Sequence, residues 1–449
     1  MSSQAIAEPT GSTGGIWDDP GVMRLATTAT LGWRVLKLKD VCTRITDGTH
    51  KTPRYQPEGV RFISIRNIRP FQPINWETYE RYITEEEHRQ LTKRCKPEID
   101  DIIFPRIGTL GFAKRIDFTE EVSIFVGLGL LKPDKNLVQP KFLEYWMNHP
   151  LIARLSRERA SGSGRLTLPL EQSREFPVLV PPMQDQSRIV ADVEKQFSRL
   201  DEVDIALRHT QTKIDRYCAS VLATACNGSM VGRDVRSWPQ SSLGELAIMV
   251  QYGSSAKTSE LGTGIPVLRM GNIADGTLVL DKLKYLPKDH DEFPSLLLEP
   301  GDLLFNRTNS PELVGKSAVY QGKPVPCSFA SYLIRLRFKA QILPEFVACY
   351  LNSSLGRSWV RRVVTQQVGQ ANVNGSKLKA LVIAVPPIGL QRKIVAEVER
   401  SLSVAREVGR QISANLVRAD RMRQAVIAEA FSRKEYRETI RVRRGAKYA

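Results

Sequence analysis

One stretch of this chain occurs twice. Pro181-Pro182-Met183-Gln184-Asp185-Gln186-Ser187-Arg188-Ile189-Val190 returns as Pro386-Pro387-Ile388-Gly389-Leu390-Gln391-Arg392-Lys393-Ile394-Val395, an offset of 205 residues. The match continues without a gap through Val193 and Val398, Glu194 and Glu399, Val203 and Val408, Arg216 and Arg421, and on to Ala225 and Ala430. A constant offset held over about forty residues is an internal duplication, and it restricts the fold to two copies of one plan.

Each copy opens on Pro-Pro, which is tolerated at a helix start and disruptive inside one. Neither residues 183–230 nor residues 388–449 contain another proline, so a long helix is predicted after each pair. In the second copy Val395, Val398, Leu402, Ala405, Gly409, Ile412, Leu416, Ala419, Arg423, Val426 and Ala430 advance by steps of three and four, a heptad seam. The same register in the first copy gives Val190, Val193, Phe197, Leu200, Asp204, Leu207, Gln211, Ile214, Cys218, Val221 and Ala225, with Asp204 and Gln211 softening its middle. Some 45 residues at ~1.5 Å each make a rod of roughly 65 Å, longer than a single compact domain needs. The two helices are therefore expected to pair with each other.

The segments ahead of the helices correspond more weakly. Lys96-Pro97-Glu98-Ile99-Asp100-Asp101-Ile102-Ile103-Phe104-Pro105-Arg106 resembles Leu298-Glu299-Pro300-Gly301-Asp302-Leu303-Leu304-Phe305-Asn306-Arg307. Pro140–Asn148 resembles Pro344–Asn352, and a short helix is predicted at each. Residues 44–95 and 250–297 share little beyond Arg66-Asn67-Ile68 against Gly271-Asn272-Ile273. β-rich runs such as Arg61–Ile65, Ile102–Phe104 and Leu333–Leu336, bounded by turn formers, make each globule mixed α and β. The plan is a flexible leader over 1–31, a globule over 32–180, a helix over 181–233, a second globule over 234–385, a second helix over 386–435 and a basic tail over 436–449.

The 65 Lys and Arg exceed 48 acids, a net charge of +17, which favours a polyanionic partner. Residues 181–233 stand apart, with seven basic and seven acidic residues. Six scattered cysteines without a CxxC pair argue against a zinc site or a disulfide scaffold and fit a reducing cytoplasm. No apolar run reaches the ~18 residues of a membrane helix, and residues 1–20 lack a secretory signal. Ser310-Pro311-Glu312-Leu313-Val314-Gly315-Lys316-Ser317 lacks the first glycine of a phosphate loop. Asn309-Ser310-Pro311-Glu312 lacks the aromatic that stacks on a flipped base in amino-methyltransferases. The five histidines are isolated, and no nucleophile elbow is present. Neither a catalytic nor a metal site is expected.

Two dissimilar basic modules on a rigid spacer suit a split DNA target. Arg and Lys neutralise phosphates, and Arg, Asn and Gln pair with base edges. An antiparallel return of the second helix would give a pseudo-twofold matched to duplex DNA. The duplicated Pro-Pro-x-x-x-Gln-x-x-Ile-Val helices, the opening Ile45-Thr46-Asp47-Gly48-Thr49-His50-Lys51-Thr52-Pro53-Arg54-Tyr55, and the Asp-x-x-Phe-x-Arg turns at Asp101–Arg106 and Asp302–Arg307 resemble the specificity subunit of type I restriction-modification enzymes, over residues 32–435. The second globule departs from that opening with Tyr252-Gly253-Ser254-Ser255-Ala256-Lys257-Thr258. The resemblance implies an α+β fold: two mixed target recognition domains joined and separated by two long antiparallel coiled-coil helices, with a pseudo-twofold internal repeat. It implies a non-catalytic subunit that binds double-stranded DNA and docks two methyltransferase subunits for adenine N6 methylation. Restriction would need further translocase subunits. S-adenosylmethionine, and ATP with Mg2+, would be used by those partners and not by this chain.

For DNA contact the first domain offers Lys51, Arg54, Arg66, Asn67, Arg106, Lys114 and Arg165, the last on the small-residue loop Ser161–Arg165. The second offers Lys257, Arg269, Asn272, Arg307 and Lys316, with Gln366, Gln367, Gln370, Asn372 and Asn374 in a loop suited to adenine. Arg106 and Arg307 recur in both copies and equally suit a structural role. The helix-pairing seam comprises Val190, Val193, Phe197, Leu200, Leu207, Ile214, Val221, Val395, Val398, Leu402, Ile412, Leu416 and Val426. The competing expectation is a coiled-coil scaffold joining two protein-binding modules without DNA.

Overall fold

The computed structural model describes residues 15–26, 33–77, 79–367 and 370–432, apart from the side chains of residues 26, 366, 367 and 370. The two long helices run over Met183–Cys226 and Ile388–Ala430. The chain forms two compact units. One takes its described residues up to Ala206 and from Ala414 onward; the other takes Leu207–Ser413. Each unit thus holds the beginning of one long helix and the end of the other, an antiparallel pairing. The seam residues are buried or half-buried at every step, while the faces between them are largely exposed. In the first unit Arg423 reaches across to Asp201 at 2.6 Å and Asp204 at 3.2 Å.

In the first unit a four-stranded antiparallel sheet runs in the order Cys42–Asp47, Leu128–Pro133, Ile102–Pro105, Lys114–Arg115. A three-stranded sheet places Val60–Ile63 between Tyr82–Ile83 and Val122–Ile124. A two-stranded sheet of Arg34–Lys37 and Pro177–Val180 leads into the first long helix. Helix Pro140–Met147 starts on the proline and buries Phe142 and Trp146. The core around them takes Ile189 and Val193 from the first long helix, and Val426, Ile427 and Phe431 from the end of the second. Phe431 packs edge-on against Phe142 and Trp146 at 5.2 and 5.1 Å.

The second unit repeats this plan strand for strand: Ala247–Tyr252, Leu333–Phe338, Leu303–Asn306 and Ser317–Val319 form its four-stranded sheet. Ile265–Leu268 sits between Lys284–Leu286 and Ser328–Phe329. The registers coincide at the repeat offset: Ile45 faces Leu131, and Val250 faces Leu336. The core again draws on both long helices, through Val221, Ala225, Ile394 and Val398.

Recurring polar clamps hold the two copies to one plan. Gln186 is fully buried; its Nε2 donates to the carbonyls of Leu137 and Pro181, and its Oε1 accepts from the Gln139 N–H. Gln391 makes the same three bonds to Gln341, Pro386 and Leu343. The glutamine of the duplicated motif therefore locks each long helix to its domain. Asn148 and Asn352 likewise tie their short helices to the backbones of Ala113 and Ser317.

Residues 15–26 depart from the expected leader. Pro20–Ala26 is a helix, Ile16 and Val22 are buried in the first core, and Arg154 clasps Asp19 with two hydrogen bonds of 2.7 and 2.8 Å. That guanidinium holds the Asp19 carboxyl down, to about 2. The apolar pair Ile16 and Val22 provides the burial that a polar Gly/Ser/Thr composition concealed. The rest of the leader through residue 14, residues 27–32 and the basic tail over 436–449 lie outside the described residues. No helix among the described residues is long and apolar enough to cross a membrane.

Candidate nucleic-acid interface

Asp47 ends the strand Cys42–Asp47 with a carboxylate almost wholly buried. It gathers three basic side chains: Arg106 and Arg94 in close ion pairs, and His50 at 3.2 Å. Two guanidiniums against one carboxylate leave the cluster net positive. Gly48 follows because a Cβ there would strike the Ile124 carbonyl; Gly253 meets the Phe329 carbonyl in the same way. These close approaches explain the glycine shared by two otherwise different openings. Burial, with a smaller push from the Asp47 charge, raises the thiol of nearby Cys95 to about 12, which disfavours the thiolate a nucleophile needs.

Arg106 is 12% exposed, and its Nε also donates to the Leu168 carbonyl. It anchors the loop of residues 161–167, whose ends Ser161 and Thr167 exchange backbone hydrogen bonds of 2.8 and 2.9 Å. Arg165 projects from this loop, exposed. Lys51 and Arg54 are exposed on the segment after Asp47, and exposed Arg66 stacks on Tyr79 at 4.7 Å.

Three expected contacts are corrected. Asn67 is buried: its Oδ1 accepts from the Ser64 N–H, and its Nδ2 donates to the carbonyls of Asn75 and Tyr79. Asn272 repeats this with Arg269, Val279 and Asp281. Both amides are spent on holding a loop, and neither can read a base. Lys114 is also turned inward, 12% exposed between Glu144 at 3.8 Å and Asp117 at 4.0 Å.

In the second domain Tyr252 stands where Asp47 stands in the first, 205 positions on. Arg307 stacks over its ring at 4.7 Å instead of pairing with a carboxylate. Its Nη1 donates to the Ser331 carbonyl at 3.4 Å, and the Tyr252 hydroxyl accepts from the Gly375 N–H at 2.7 Å. The corresponding arginine is thus ion-paired in one copy and, among the described residues, has no carboxylate partner in the other. The loop ahead of the second long helix is a hairpin of Thr365–Gln367 and Gln370–Asn372, joined by Thr308–Asn309. Asn372 donates to Thr308 Oγ1, and Asn374 caps the helix Gly375–Lys379, so both are used locally. The side chains of Gln366, Gln367 and Gln370 lie outside the described residues. Lys257 is exposed; Arg269 and Lys316 are half-buried.

Sequence reasoning missed Arg94 and His50. His50 was passed over as isolated. Arg94 lies 47 residues from Asp47, and only the fold brings them together.

No family model matches the chain. It is 24% identical over 419 residues to the type I restriction enzyme EcoKI specificity subunit of Escherichia coli K12, covering 89% of this chain and 88% of that protein. It is 22% identical over 416 residues to the StySPI specificity subunit of Salmonella potsdam, with the same coverage. A solved structure, described as the basis of complex assembly and conformational transition of the type I restriction-modification system, shares the fold at TM-score 0.62 and 18% identity, over 89% of this chain and 98% of that one. In its duplicated helices, its twice-built domain and along nearly nine-tenths of its length, the chain is similar to the specificity subunits of type I restriction enzymes.

Proposed function

We propose that this chain is the DNA-reading subunit of a type I restriction-modification complex. Each domain reads one half of a split, asymmetric duplex target, and the paired helices set the unread gap between the halves. The chain performs no chemistry itself. It positions methyltransferase subunits that transfer methyl groups from S-adenosylmethionine to adenine N6, and the near-neutral first long helix offers them a protein-facing surface. Where translocase subunits join, ATP and Mg2+ are theirs.

The observation that carries this reading is the contrast between framework and surface. Gln186 and Gln391, Asn148 and Asn352, and Asn67 and Asn272 recur with the same partners, whereas Asp47 against Tyr252 and the two loops ahead of the long helices differ. One scaffold built twice with two different basic faces suits two different short sites. Selection of duplexes from a randomised pool with the full-length chain tests it. Two unlike conserved blocks separated by a fixed unconserved gap are expected. A single continuous block, or no enrichment, contradicts the reading.

A further inference from the structure

The first domain carries an arginine–tyrosine ladder that the framework does not require. The Arg81 guanidinium lies over two rings, 3.9 Å from the centre of Tyr55 and 4.4 Å from that of Tyr79. Arg66 sits 4.7 Å from the same Tyr79 ring. Neither guanidinium hydrogen-bonds to or pairs with a carboxylate among the described residues. The adjacent Glu80 is engaged instead by the Tyr82 hydroxyl. The ladder adjoins the basic segment with Lys51 and Arg54, because the Gln56 N–H donates to the Tyr82 carbonyl at 2.9 Å.

A guanidinium stacked on aromatic rings keeps its edge for binding, where its N–H donors lie in one plane. Stacking holds that plane still without neutralising the charge. Two such cations around one ring repel each other, and a shared anion between their edges relieves the repulsion. Among the described residues the second domain has no equivalent. Lys284 occupies the place of Arg81, as the pairing of Val267 with Lys284 shows, and it is neutralised by Glu260 at 3.0 Å. Thr258 precedes Ser259, the counterpart of Gln56, and so stands where Tyr55 does. Framework groups recur in both copies; this ladder occurs in one.

Resting on the recognition reading above, we propose that Arg66 and Arg81 form a preorganised clamp for a DNA backbone phosphate beside the first half-site. The clamp adds affinity and register there without reading a base.

Equilibrium binding of the full-length chain to its selected duplex, measured across 50–200 mM salt, tests this. A phosphate contact contributes a slope of about 0.9 in log K against log salt. Because both hold one phosphate, Arg66→Gln and Arg81→Gln should each flatten the slope, the double variant should flatten it by no more than about 0.9 in all, and Arg81→Lys should restore most of the loss. Base preference in both half-sites should stay unchanged. Arg66 is exposed, so its variant carries the test if Arg81→Gln melts early. An unchanged slope in Arg66→Gln overturns the clamp, and so does a relaxed base preference with the slope retained. An unaltered chain that binds no duplex overturns the recognition reading together with the clamp.

Discussion

At the scale of single residues, the polar side chains divide by what their hydrogen bonds are spent on. Asn67, Asn272 and Lys114 have the chemistry of DNA contact, but burial commits them to neighbouring backbone and carboxylates. Residue type could not reveal this. The recurrence of Asn67 and Asn272 at the repeat offset could have, because a group that differs in task between half-sites has no reason to recur. Gln186 gives the sharpest test of such a clamp. Gln186→Ala would orphan the buried Pro181 carbonyl and the partly buried backbone groups of Gln139 and Leu137, at about 1–3 kcal/mol for each group left dry. We expect a loss of about 3 kcal/mol in urea unfolding, read as a lower midpoint. A midpoint equal to that of the unaltered chain would show the clamp to be idle.

At the scale of elements, the long helices were legible because two independent signals agree. Proline is confined to their starts, and apolar residues return every three and four positions. Asp204 and Arg423 look like defects in that pattern when each helix is read alone. In the fold they are partners: Arg423, nearly fully buried, meets Asp204 and Asp201 across the seam of the first unit. A buried ion pair adds little net stability over apolar packing but penalises any register that separates its members. Arg423→Met alone leaves Asp204 uncompensated and should cost about 3 kcal/mol. Adding Asp204→Leu should recover that loss or exceed it. Thermal melting of the single and double variants decides; a double variant no more stable than the single would refute the pairing.

At the scale of the whole molecule, the duplication was readable and much of the surface was not. Matching registers in the two four-stranded sheets follow from the shared offset. The Asp47 cluster does not, since Arg94 and Arg106 reach it from distant segments and only tertiary folding joins them. The packed segment 15–26 was hidden for a similar reason: Asp19 finds its partner 135 residues away, and Ile16 and Val22 join a core assembled from distant parts of the chain. On the proposed reading, duplication with divergence makes two readers from one scaffold, and the central claim of that proposal is that the helix pair fixes the distance between them. Removing one heptad from each long helix, at positions facing each other across the seam, shortens the pair by roughly 10 Å, about three base pairs of duplex. Repeating the duplex selection with this shortened chain is the most direct measurement. The account predicts both half-sites unchanged and the gap between them reduced by about three base pairs, or binding lost where the shorter gap cannot be met. The original gap, bound with the original affinity, would contradict it.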